Sequence, residues 1–222
     1  RCGFAWMNFD GVLGNKTLRQ AILMAIDNDT ICNSRTIGGL YTPGFSVLPS
    51  TLNYDYDKLE NPYTYDPEKA KQILDDAGIV HFGYDETAVM DVKGIKVGLV
   101  GIYELYDHLE REQQLKDNIA KVKADGAQLI VVIFHWGNET ETVPDSNQTT
   151  LGRIAIDEGA DLVCGHHPHV LQGIETYKGR NIVYSLGNFC FGGNSSPSDM
   201  DTMIYQQTFT IDADGVKKDN VT

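Results

Sequence analysis

Leu129-Ile130-Val131-Val132-Ile133-Phe134-His135-Trp136-Gly137-Asn138-Glu139 is the stretch that decides the fold. Six apolar residues run without alternation, the pattern of a strand buried on both faces at the centre of a sheet. Polar chemistry begins at its last residue, with His135 and then Glu139. In sheets built from alternating strands and helices, ligands bind outside the carboxyl ends of the strands.

Working outward, Leu115, Ile119 and Val122 space a helix that ends near Asp125-Gly126. Before it, residues 88–92 and 95–102 flank Lys93-Gly94 and read as a hairpin. After the central strand come a helix at about 149–158 and short strands at 161–164 and 181–185. A final pair over about 203–211 is expected to turn near Asp214-Gly215.

The first third differs in character. Leu18, Ala21, Ile22, Ala25 and Ile26 fall at helical spacing, with Asn15 as N-cap and an end at Asp27-Asn28-Asp29. Residues 38–65 are rich in Gly, Pro, Asn and Tyr and should wrap the surface as a long loop. Asp66-Pro67-Glu68 opens a second helix with a cap, a first-turn proline and an early acid. Ala70, Ile73, Leu74 and Ala77 form its apolar face, and Gly78 stops it.

The formal net charge of −13 argues against nucleic acid, whose binding needs clustered Lys and Arg. No apolar run is long enough for a membrane helix. The segment from Arg1 to Trp6 lacks a signal-peptide core, so any export signal is expected upstream or left out of this sequence. Cys2, Cys32, Cys164 and Cys190 show no CxxC spacing, which argues against a zinc ribbon. Cys164, in an apolar run, reads as a small buried hydrophobe.

Four of the six histidines fall at strand ends: His135, then His166, His167 and His169 in Gly165-His166-His167-Pro168-His169. A lone histidine at such a place is more often structural, but three within four residues point to a metal site. Gly165 is expected to let the backbone turn sharply, and Pro168 to stiffen the loop. His135, His166, His167 and His169 are the candidate metal ligands, for Mn, Fe or Zn. Glu139 and Glu175 are candidate acid–base groups or supporting acids. Asn188, in Tyr184-Ser185-Leu186-Gly187-Asn188-Phe189, ends the next strand and completes the catalytic candidates with His135, Glu139, His169 and Glu175.

The runs His135-Trp136-Gly137-Asn138-Glu139, Gly159-Ala160-Asp161-Leu162-Val163, Gly165-His166-His167-Pro168-His169-Val170-Leu171-Gln172 and the segment from Tyr184 to Phe189 together resemble CapA-type capsule (poly-gamma-glutamate) synthesis proteins, relatives of the calcineurin-like metallophosphatases. The resemblance implies an α/β fold: a metallophosphatase-like mixed-sheet half-domain over 80–222, behind a smaller helical and loop-rich segment over 1–79. It also implies a divalent metal, an anionic polymer or phosphoester substrate, and work in the bacterial cell envelope or outside the cell. By the superfamily pattern His135 is the ligand after the central strand. Either His167 and His169 or His166 and His169 make the second pair. The superfamily takes its other ligands from an N-terminal half, whereas no histidine precedes His81 here. A dinuclear site would therefore lack a carboxylate bridge and about half its ligands.

Thr17-Leu18-Arg19-Gln20-Ala21-Ile22 and the run from Tyr65 to Gly78 instead resemble the second lobe of oligopeptide- and dipeptide-binding proteins of ABC importers, over about 4–79. That resemblance implies a peptide ligand near Trp6 and Asn8, with Tyr41, Phe45 and Tyr54 lining the cleft. The helix end at Leu74-Asp75-Asp76-Ala77-Gly78-Ile79 suits either family. Three readings follow: a capsule-synthesis protein with a histidine site, a solute-binding protein, or an inactive chimera of the two.

Overall fold

The computed structural model describes residues 12–33, 44, 58, 60–189, 198–212 and 215–218. Trp6, Asn8, Tyr41, Phe45, Tyr54 and most of the 38–65 segment lie outside the described residues. The chain forms two compact units, Arg1–Val80 and His81–Thr222.

In the first unit a 3₁₀ turn, Val12–Gly14, precedes helices α1 (Lys16–Ala25), α2 (Asn28–Asn33) and α3 (Pro67–Asp76). Asn15 caps α1: its side-chain oxygen accepts from the backbone N–H of Thr17 at 2.8 Å and of Leu18 at 3.3 Å. Asp66 caps α3 through the N–H of Lys69 at 2.9 Å. Each such cap is worth about 1 kcal/mol. The chain does turn at Asp27, but the residue also starts α2, accepting from the Thr30 N–H at 2.9 Å. Helices α1 and α3 bury Ala21, Met24 and Ala70 between them, with Tyr63, Ile73 and Leu74 at the margin. Ala77, expected on that face, is instead the exposed C-cap of α3.

The second unit is built on a six-stranded mixed sheet. Its strands are β1 (Thr87–Val92), β2 (Ile95–Tyr103), β3 (Leu129–His135), β4 (Leu162–His166), β5 (Ile174–Tyr177) and β6 (Arg180–Val183). The order is β1-β2-β3-β4-β6-β5. Strands β2, β3, β4 and β6 run parallel, while β1 and β5 are antiparallel edges. The apolar run that decided the fold is the third strand of the six. Helix α4 (Glu112–Ala124) carries the chain from β2 to β3, and α5 (Ser146–Asp157) from β3 to β4.

Both helices cover one sheet face. Val100, Ile102, Ile130, Val132, Phe134, Val163 and Ile182 meet Leu115, Ile119, Val122, Leu151 and Ala155 there. Burying each of the larger side chains stabilises by about 1.5–3 kcal/mol. Burial of β3 on both faces is only half correct: Val131 and Ile133, on the other face, are half-buried. Helix α5 starts three residues before the expected position because Asp145 and Gln148 form a reciprocal capping box. Strand β5 was not expected. It is a short edge strand joined to β6 by the left-handed pair Lys178-Gly179.

Strands β7 (Phe209–Asp212) and β8 (Gly215–Lys218) form a separate antiparallel pair. The first begins at Phe209 rather than Met203, and Asp214 of the expected turn lies outside the described residues.

Candidate metal centre

Parallel register brings three strand ends into line. Tyr103 of β2 pairs with His135 of β3, which pairs with His166 of β4. In-register neighbours project from the same face, and the Tyr103 and His135 rings stack with centroids 5.4 Å apart and planes 6° apart. The sharp turn after β4 is not made at Gly165. It is made at His167 (φ 103°) and His169 (φ 59°), both in the left-handed region. Such backbone costs a non-glycine residue about 1–3 kcal/mol and clusters at functional sites.

Gly165 serves a different purpose. A Cβ there would overlap the Tyr184 carbonyl and the Trp136 indole. Its absence lets the buried Trp136 cross β4 and donate Nε1–H to the Tyr184 oxygen at 2.8 Å. The two site loops are also joined by backbone: the Trp136 N–H donates to the His166 oxygen at 3.1 Å, and the Thr140 N–H to the Pro168 oxygen at 2.8 Å.

Glu139, His167 and His169 each present one possible ligand atom, all within 4.8 Å of one another. The His135 ring centroid lies 4.7 Å from that of His167. Asn188 fixes the tautomer of His169. Its Nδ2 donates to the carbonyls of His169 (2.8 Å) and Asp199 (3.1 Å). Its Oδ1 must then accept from His169 Nδ1–H, at 2.7 Å. Nε2 is then the His169 nitrogen that carries the lone pair, and such an orienting partner is the usual companion of a ligand histidine.

Burial, followed by the neighbouring histidines, holds His135 below the ordinary histidine pKa. Burial likewise lowers His167, although Glu139 pulls the other way. Neutral imidazole is the ligand form. Two imidazole nitrogens and one carboxylate oxygen suit Zn, Mn or Fe, with room for water in the remaining positions. The donor set thus fits a single divalent cation.

His166, exposed at the end of β4, is near enough to His135 to help lower its pKa but is not one of the three converging residues. The carboxylate of Glu175 is taken by Arg153, whose Nε lies at 2.9 Å, and by the Tyr184 hydroxyl at 2.5 Å. Sequence reasoning passed over Glu104, which follows β2 and is 1% exposed. Its backbone N–H donates to the His135 carbonyl at 2.9 Å, and its Oε2 accepts from the Gly137 N–H at 3.2 Å. The strand-end rule that found His135 applies equally to Glu104.

Comparisons with known proteins divide the chain as its chemistry does. The family model "Bacterial capsule synthesis protein PGA_cap" matches residues 62–193. That for "Bacterial extracellular solute-binding proteins, family 5 Middle" matches residues 1–93. Helix α3 lies inside both matches, as expected of a helix end that suits either family. The PGA biosynthesis protein CapA of Bacillus subtilis is 32% identical over 177 residues, covering 72% of this chain and 46% of the relative. The capsule biosynthesis protein CapA of Bacillus anthracis is 49% identical over 69 residues, covering 31% of this chain and 17% of the relative. The dipeptide-binding protein of Escherichia coli is 27% identical over 143 residues, covering 63% of this chain and 24% of the relative. The chain therefore spans less than half the length of these curated relatives. With more than half of its residues inside the first match, and with the motif-bearing loops among them, the chain belongs to the bacterial capsule synthesis protein PGA_cap family.

Proposed function

We propose that the second unit carries a metal-dependent site acting on a phosphoester or on the growing anionic polymer during capsule synthesis in the cell envelope. The observation that supports this is the convergence of Glu139, His167 and His169 within 4.8 Å, with His169 oriented by Asn188. Glu139, His167 and His169 would hold a divalent cation, which would supply a water of lowered pKa and a positive charge beside the scissile group. His135, stacked on Tyr103 beside His167, offers a third imidazole nearby.

The test is elemental analysis after dialysis, beside a His167→Ala/His169→Ala double variant. Near-stoichiometric Mn, Fe or Zn that vanishes in the variant supports the reading. Less than about a tenth of an equivalent in the parent protein removes it. In that case the histidines are the relic of a site whose other half was replaced, and the inactive-chimera reading stands.

The match over residues 1–93 favours a second reading, peptide capture by the first unit near Trp6 and Asn8. Calorimetry with a dipeptide panel tests it. Absence of heat at millimolar peptide rejects it.

A further inference from the structure

The most unusual group that the metal reading leaves unused is the carboxylate of Glu104. It is 1% exposed, whereas carboxylates are almost never fully buried unless they are paired. Its two oxygens have different partners. Oε2 accepts from the Gly137 N–H, on the loop between His135 and Glu139. Oε1 lies 2.7 Å from His108 Nδ1. A carboxylate can only accept there, so Nδ1 carries the proton and Nε2 is the outward nitrogen.

The backbone holds the pair. Glu104 is pinned through its N–H to the His135 carbonyl, and the His108 N–H donates to the Glu104 oxygen at 2.9 Å. His108 sits in the left-handed region at φ 47°, and its side chain remains 58% exposed. A strained, exposed imidazole is thus backed by a buried carboxylate that also touches the loop of the metal group. In serine hydrolases a buried acid orients a histidine in the same way, and the histidine moves the proton.

We propose that His108, oriented by Glu104, is the general acid that protonates the leaving group of a phosphoester cleaved at the Glu139–His167–His169 centre. In that step a water oxygen forms a bond to phosphorus and the bond from phosphorus to the leaving oxygen breaks. The electron pair stays on that oxygen, which takes the proton from His108 Nε2. The water's proton passes to solvent, and solvent reprotonates His108. The surroundings favour the charged imidazole. Glu104 foremost, then Asp145 at the start of α5 and the adjacent Asp107, raise its pKa above the ordinary histidine value. Arg111, the nearby cation on the same turn, is paired with Asp107. This proposal rests on the metal reading above.

The test compares the full chain with its His108→Asn variant, both supplied with Mn²⁺, on two probes. Phenyl phosphate has a poor leaving group that needs a proton. 4-Nitrophenyl phosphate has a good one that does not. A general acid contributes about 10²–10⁴-fold. We expect a loss of about 100-fold or more on phenyl phosphate and a loss at least tenfold smaller on 4-nitrophenyl phosphate. Glu104→Gln should show the same bias toward the poor leaving group, with the metal still bound. Equal losses on both probes, or none, overturn the proposal. Metal bound without turnover of either probe by the parent protein also overturns it, and leaves the metal reading standing. Absence of metal removes both.

Discussion

Replacing Gly165 by alanine tests how the site is buttressed. The added methyl would meet two groups that cannot yield cheaply: the backbone carbonyl of Tyr184, just past β6, and the fully buried Trp136 indole. Overpacking of this kind costs about 1–3 kcal/mol. Separating Trp136 Nε1 from the Tyr184 oxygen loses a buried hydrogen bond, worth about 0.5–1.5 kcal/mol net. The two effects together come to about 3 kcal/mol, a large share of the 5–15 kcal/mol typical of a folded chain. At about 2–4 °C per kcal/mol for a chain of this size, the midpoint should fall by roughly 6–12 °C. Circular dichroism melts of Gly165→Ala would measure the drop. Gly173→Ala serves as the control, since a Cβ there meets nothing within 4 Å. That control should stay within about 0.5 kcal/mol of the parent. Gly165→Ala melting within a degree of the parent, or Gly173→Ala falling equally far, would refute the reasoning.

Asn188→Ala should weaken metal binding about 10–100-fold by freeing the His169 tautomer, measured by competition with a chelating dye. Burial pushes the Cys164 thiol up to about 11, so only about one molecule in 10³ carries the thiolate at pH 8. Iodoacetamide labelling followed by peptide mass spectrometry should find Cys164 unmodified at pH 8 and its rate rising about tenfold per pH unit toward 11. Asp145→Ala removes the capping box of α5 and should cost about 1 kcal/mol, read as a 2–4 °C lower midpoint.

The parts of the fold that could be read from sequence were those whose burial is local. The run of β3 and the spacing of Leu115, Ile119 and Val122 announce themselves because each residue's environment follows from its own element. Strand β5 did not, since its four residues alternate between exposed and half-buried and depend on β6 for every ladder bond. The same division runs through the site. His167, His169 and Asn188 stood out because histidine and asparagine at strand ends are unusual residues in unusual places. Glu104 is one acid among 31, and nothing near it in the chain marks it. Its burial arises from β2 pairing with β3, which brings Gly137 to a residue 33 positions away. Glu175 shows the reverse. It is near the histidines in sequence, but β5 runs antiparallel and delivers its carboxylate to Arg153 and Tyr184.

The two backbone bonds that join the loop after β3 to the loop after β4 bear on the kinetics of metal loading. Glu139 sits between Trp136 and Thr140, whose N–H groups hold the opposite loop at His166 and Pro168. The three donors are therefore carried on one backbone frame and do not have to be gathered by the ion. Ion capture should then proceed at a rate set by loss of water from the cation, with little dependence on viscosity. Amide exchange at Trp136 and Thr140 should be equally slow before and after loading.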